Sequence, residues 1–214
     1  MKKIALPNIA EFSKLTFLEL NAKLENVLEK HEIDCQPWQE FASNGVKSSF
    51  SIAHTGSHLL LKYYSVEEEI NAFPRATNGE VNKDNCVELF IAFDNENYYN
   101  LEFNCLGSTK VGYGDNRKDR KMLSTEVINE IKRYATINSQ INDGCTFSWE
   151  IFLLIPKEVF LFTDLCSFDG LNCWANFYKC GDGLKKSHFS SWNMIDTPNP
   201  DFHQPHYFGQ LDFF

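Results

Sequence analysis

Between Asp84 and Gly107 the chain reads DNCVELFIAFDNENYYNLEFNCLG, two runs of alternation around a polar break. Val87, Leu89, Ile91 and Phe93 alternate with Glu88, Phe90, Ala92 and Asp94, and Tyr99, Leu101, Phe103 and Cys105 alternate with Tyr98, Asn100, Glu102 and Asn104. Successive side chains leave a strand on opposite sides, so this period marks strands with one buried face. The stretch is therefore expected to be a β-hairpin whose two apolar rows share one core. Antiparallel partners point to the same face, which restricts the register to alternate choices. The expected pairing sets Glu88 against Asn104 and Phe90 against Glu102, with Asn95, Glu96 and Asn97 as the loop. Asn97 tolerates the left-handed backbone with which such loops end. The second face then carries Glu88, Glu102, Asn100, Asn104 and the Phe90 ring, side-chain types found on sugar-binding surfaces and equally on ordinary wet sheets.

At 214 residues the chain suits one large domain with a substantial core. An aromatic share of 14%, driven by 19 Phe, favours sheets. The net charge of -9 argues against a nucleic-acid partner, and the one dense basic run, Arg117 to Lys121, contains Asp119 and reads as a solvated loop. Pro7, Asn8 and Glu11 interrupt any leader-like apolar run after Lys2 and Lys3, and no stretch reaches membrane-spanning length, so a cytoplasmic protein with no membrane partner is expected. The seven cysteines are odd in number and form no Cys-x-x-Cys pair, which fits reduced thiols and offers no zinc spacing. Cys86 and Cys105 fall on opposite faces of the hairpin, so no disulfide joins them.

Along the chain, residues 14–31 carry a helical stripe through Leu20, Leu24 and Val27 and are expected to form an appendage spanning residues 1–35. Pro37 stops that helix, and Trp38 with Phe41 is expected to anchor the join to the core. Val46–His54 and Ser57–Tyr64 form a second hairpin around Thr55 and Gly56; His54 and His58 flank its turn without a third metal ligand. Val66–Ala72 is a candidate strand, residues 111–116 read as a loop, and Ser124 caps a short helix running to about Tyr134. Phe147–Ile155, Trp174–Lys179 and Phe208–Phe213 complete the strands. Strands joined by turns, without alternating helices, predict an all-β antiparallel β-sandwich with a short N-terminal helix and one short inserted helix.

Taken in order, DNCVELFI from Asp84, WEIFLLIP from Trp149 to Pro156, ANFYK from Ala175, Ser191 with Trp192, and FGQL from Phe208 resemble the family 9 carbohydrate-binding modules. The resemblance covers residues 36–214. It implies a sandwich that holds sugar between aromatic rings and hydrogen-bonds it from one sheet face. It places Glu88 at the family's sheet-face carboxylate, Asn104 at a matching polar position, and Phe202 near a ligand-stacking tryptophan. Asn78–Asp84 lacks the other stacking tryptophan, Phe202 is the smaller ring, and Glu102 stands where a basic donor is expected. These departures put affinity for reducing sugar ends in question. Modules of this family often hold calcium, for which Asp84, Asp94, Asn95, Asp182, Asp196 and Asp201 offer hard oxygens without forming a recognisable calcium loop; no other cofactor is expected.

The leading expectation is non-catalytic binding of a saccharide or similar polyhydroxylated molecule by Glu88, Glu102 and Asn104, joined by Asn176, Lys179, Trp192, Phe202 and His203, with Arg75 as a forked donor. Trp192 reads equally well as core. A cytoplasmic interaction or ligand-sensing protein that has lost its sugar site, with a protein partner, is the alternative. A glycoside hydrolase using Glu88 and Glu102 as its carboxylate pair is the lesser one.

Overall fold

The computed structural model describes residues 1–12, 14–25, 27–94, 96–141 and 145–214. In chain order, β1 (Lys3–Leu6), α1 (Phe17–Leu24) and β2 (His31–Glu32) precede the hairpin of β3 (Lys47–His54) and β4 (His58–Glu67). A meander follows: β5 (Cys86–Ala92), β6 (Tyr98–Asn104), β7 (Thr109–Gly114) and β8 (Lys121–Met122). The chain continues through α2 (Thr125–Asn129), β9 (Lys132–Ile141), β10 (Cys145–Pro156), β11 (Asn172–Cys180), β12 (Phe189–Ser191) and β13 (Gly209–Phe213).

The strands form the all-β sandwich that the alternation predicts. One sheet is eight-stranded, ordered β1-β13-β11-β5-β6-β7-β8 with β12 also on β11; the other is five-stranded, ordered β2-β3-β4-β10-β9. Among the described residues the named strands pair antiparallel except β1 with β13. The inner faces meet through Phe50, Ile52, Leu61 and Tyr63 on one side and Val87, Leu89, Leu101 and Phe177 on the other. Phe50 stacks on Phe177 at 3.7 Å. Each such side chain, fully buried, contributes about 1.5–3 kcal/mol. Across the gap, the Tyr63 hydroxyl donates to the Glu88 carbonyl at 2.8 Å, tying the central hairpin to the facing sheet.

Both apolar rows of the 84–107 hairpin lie in this core, but its register differs from the expected one by two residues. Glu88 pairs with Glu102, Phe90 with Asn100 and Cys86 with Asn104. The cause lies in the turn. The Asp94 carboxylate accepts from the backbone N–H groups of Glu96 and Asn97 at 2.8 Å each, which widens the connection to residues 93–97. Among the described residues only Asn78 has a left-handed backbone without being glycine, so Asn97 does not end the turn as expected; Asn95 lies outside the described residues.

Other differences have equally local reasons. The helix expected over residues 14–31 is confined to α1, started by a capping box between Thr16 and Glu19. Leu20 and Leu24 pack on Ala53, Leu60 and Phe152 of the five-stranded sheet. Residues 1–35 also supply β1 and β2, strands of the two sheets, and Ile4 and Leu6 enter the core. The segment after Glu67 leaves the sheet instead of continuing to Ala72, because Asn85 captures it: its side chain accepts from Asn71 N–H at 2.6 Å and donates to the Glu69 carbonyl.

Residues 111–116, read as a loop from their glycines, belong mostly to β7. A Cβ on Gly112 would stand 2.8 Å from Asn100 Oδ1, so this glycine serves close approach across the strands. α2 is shorter than the helix expected to reach Tyr134; Ser124 caps it, and β9 begins at Lys132. Among the described residues, no helix is long and apolar enough to cross a membrane.

Candidate functional site

The outer face of the eight-stranded sheet is built in rows set by register. Tyr178, Glu88, Glu102 and Lys110 lie in line across β11, β5, β6 and β7, beside a second row of Asn176, Phe90, Asn100 and Gly112. Glu88, Glu102 and Lys110 of the first row, with Phe90 and Asn100 of the second, floor a cleft of about 210 Å³. One rim comes from the β7–β8 connection, with Arg117 and Arg120; another comes from Pro200 to His203, with Trp38 and Phe189 behind it.

Each polar group on the floor has a partner that fixes it. Lys110 Nζ sits 3.2 Å from Glu102 Oε1, and the Asn100 amide donates to the same oxygen at 2.8 Å. Arg120 donates to Asn100 Oδ1 at 3.0 and 2.6 Å and to the carbonyls of Tyr98 and Gly114 at 2.8 Å, with its guanidinium 4.2 Å from the Tyr98 ring centre. This chain of donors, Arg120 to Asn100 to Glu102, holds the floor rigid and leaves the remaining lone pairs of the carboxylate for a ligand.

Glu88 takes a hydrogen bond from the Cys180 thiol at 3.2 Å. Burial, followed by repulsion from Glu102 directly opposite, pushes its carboxyl well above the usual range, so Glu88 is held toward the protonated form. Burial opposes the Lys110 charge, but the Glu102 carboxylate outweighs it and raises the Lys110 pKa. The floor therefore offers an acid that both donates and accepts, beside an ion pair.

The aromatic rim is mutually supported. Phe202 stacks on Tyr178 at 4.1 Å, Phe90 meets Tyr178 edge-on at 5.0 Å, and His203 Nδ1 shares a 2.8 Å hydrogen bond with the Tyr98 hydroxyl. Burial, then the Arg120 charge, lowers the His203 pKa to about 3; burial, then Lys179, does the same to His188. Both rings are neutral when folded and gain a proton on unfolding below their ordinary value. Their contribution is present above about pH 6.5 and is lost as pH falls toward 3, with a slope of about 1.4 kcal/mol per pH unit for each proton taken up. Urea unfolding at a series of pH values is expected to show this slope, reduced by about one proton in His203→Gln.

Of the residues expected at the site, the structure brings together Glu88, Glu102, Phe202 and His203. The others lie elsewhere. Asn104 is fully buried, donates to Asp84 and the Phe73 carbonyl, and accepts from the N–H groups of Leu106 and Ser108, so it builds a turn. Arg75 forks onto Asp84 at 2.9 and 2.6 Å beside that turn. Asn176 accepts from Asn193 N–H and donates to its carbonyl. Lys179 faces the inner side and pairs with Glu67 at 3.0 Å. Trp192 packs edge-on to Phe50 and Phe177 over Gly209, where a Cβ would clash with the indole. It is core, the second of the two expected readings.

The residues that sequence reasoning missed are Asn100, whose face was noted but not its role, together with Lys110, Arg120 and Trp38. Lys110 is hidden in the sequence because the glycines after it read as a loop, whereas they belong to β7. Arg120 sits in the basic run read as solvated, yet its guanidinium turns inward. Of the candidate calcium ligands, the Asp84 carboxylate is taken by Arg75 and Asn104 and Asp94 is spent on its own turn, while Asn95 lies outside the described residues.

The structure is a β-sandwich with a polar, aromatic-rimmed cleft on the outer face of one sheet. The model of carbohydrate-binding family 9 matches residues 19–213, and the chain belongs to that family. The matched span starts inside α1, earlier than the resemblance read from residue 36 onward. A candidate carbohydrate-binding protein from Bacteroides uniformis ATCC 8492 is 32% identical, with a TM-score of 0.90 over 100% of this chain and 99% of its own. A family 9 module from Caldicellulosiruptor kristjanssonii shares the fold in its glucose complex, at 11% identity and a TM-score of 0.62 over 100% of this chain and 96% of that one. Its cellotriose complex gives 12% identity and a TM-score of 0.58, over 99% and 93%. A comparison with curated proteins gives no match.

Proposed function

We propose that this protein binds a saccharide non-catalytically in the cleft over β5 and β6. The observation that carries the reading is the row Glu88, Glu102, Lys110 beside Asn100, bounded by an aromatic rim. A sugar hydroxyl donates one hydrogen bond and accepts others, so it is best met by groups of both kinds set side by side. Glu102 accepts, Lys110 donates, and Glu88 as the neutral acid does either. The C–H faces of a pyranose pack against Phe202, Phe189 and Trp38. Family membership supports this reading, as do the glucose and cellotriose bound by the C. kristjanssonii module.

The volume restricts the ligand. At about 210 Å³ the cleft is smaller than common small-molecule pockets of roughly 300–1,000 Å³, which fits one or two sugar units and not a long chain laid across the sheet. Calorimetric titration with glucose, cellobiose, cellotriose and other mono- and oligosaccharides is expected to give one site, with little affinity gained beyond two units. Silence across the panel at millimolar concentrations would overturn the proposal.

A further inference from the structure

We propose that Cys86, Cys180 and Glu88 form a site for a single thiophilic divalent cation of the zinc type at the floor of the cleft. The two thiols come from different strands and are set opposite each other by the β5–β11 register; Glu88 follows two residues after Cys86 on the same face. The two Sγ atoms and one Glu88 oxygen lie within 4.8 Å of one another, and the Cys180 thiol already touches the carboxylate at 3.2 Å. Among the described residues no other three His, Cys, Asp or Glu side chains converge in this way.

The spacing suits coordination. Zinc holds thiolates at about 2.3 Å and carboxylate oxygens at about 2.0–2.2 Å, so tetrahedral ligand atoms stand roughly 3.5–3.8 Å apart. With the three ligand atoms already within 4.8 Å of one another, the adjustment required is on the order of an ångström. All three are buried, and Val81, Phe189 and Phe202 pack around the thiols, keeping competing water low. Cys180 and Glu88 also line the cleft, so the fourth position opens onto it. Three protein ligands plus one open position is the pattern of zinc sites that keep an exchangeable water. On binding, the cation displaces the two thiol protons and the Glu88 carboxyl proton to solvent and replaces the Cys180–Glu88 hydrogen bond with metal bonds. The site requires no sugar, so it stands or fails separately from the carbohydrate reading.

The test is a titration of the full-length, reduced, metal-free protein with cadmium, read by thiolate-to-metal charge-transfer absorption in the near ultraviolet. One equivalent is expected to saturate the band. The band is expected to survive in the double variant Cys145→Ser/Cys166→Ser, whose thiols are exposed, and to vanish in Cys180→Ala. Glu88→Gln, which keeps the side-chain shape, is expected to weaken binding by roughly tenfold or more and serves if Cys180→Ala folds poorly. Zinc at about 100-fold excess over its Kd is expected to raise the melting temperature of the wild type by on the order of 5–10 °C and that of Cys180→Ala by none. A wild type without the band, or a band unchanged in both Cys180→Ala and Glu88→Gln, would overturn the site.

Discussion

Lys179→Met is expected to lower the free energy of unfolding by about 3–5 kcal/mol, the cost of stranding a buried charge. Lys179 is 0% exposed and Glu67, on the facing sheet, 1%. The ammonium lies 3.0 Å from Glu67 Oε2, donates to the Cys180 carbonyl and contacts His188 Nε2 at 2.8 Å, while Trp149 Nε1 donates to the other Glu67 oxygen at 2.6 Å. Methionine keeps most of the stem volume, so the loss reports on Glu67 losing its counter-charge and not on a cavity. Against a typical total of about 5–15 kcal/mol this is a large share. The double variant Lys179→Met/Glu67→Met removes both charges and is expected to recover most of the loss in urea unfolding. Equal stability of the single and double variants would show that the pair is not what holds the sheets together there.

That ion pair also shows which parts of the chain could be read in advance. Burial on one face imposes period 2, and the rows Val87 to Phe93 and Tyr99 to Cys105 display it without interruption, so the hairpin and its core face were legible. Register was not, because it depends on how Asp94 folds its own turn, a matter of two backbone hydrogen bonds that alternation does not encode. The sequence reading joins Lys179 to the binding face. Its position between Tyr178 and Cys180 places it on the inner face, where Glu67 makes a charge tolerable. Parity along the strand was the better guide than residue type.

The residues of the candidate site legible from strand alternation are those of the hairpin. Glu88 and Glu102 could be placed by counting along alternating strands; Phe202 came from resemblance alone. Arg120 and Lys110 depend on β7 and β8 joining the sheet, and the glycines of β7 concealed that by looking like turn residues. The Cys86–Cys180 pairing needs the adjacency of β5 and β11, which are separated along the chain by the remaining meander strands β6 to β8, by α2 and by β9 and β10. No local spacing rule reaches across such a gap.

Glu102→Ala and Trp192→Phe separate the proposed ligand site from the frame that carries it. On the proposed reading, Glu102 supplies a charge-assisted hydrogen bond worth about 1.5–3 kcal/mol, so its loss is expected to weaken sugar binding by roughly 10–150-fold. Lys110 and Asn100 remain in the cleft but lose the acceptor that orients them, which adds to the effect. Trp192 is the other aromatic candidate for sugar contact, and it lies 3% exposed, edge-on to the stacked Phe50 and Phe177 rings. Trp192→Phe is expected to cost about 1–3 kcal/mol of stability through incomplete filling of that space and to leave the dissociation constant unchanged. Calorimetry and urea unfolding on both variants check the two directions together. Should Trp192→Phe lose affinity while Glu102→Ala keeps it, the ligand lies against another face and the cleft over β5 and β6 is not the site.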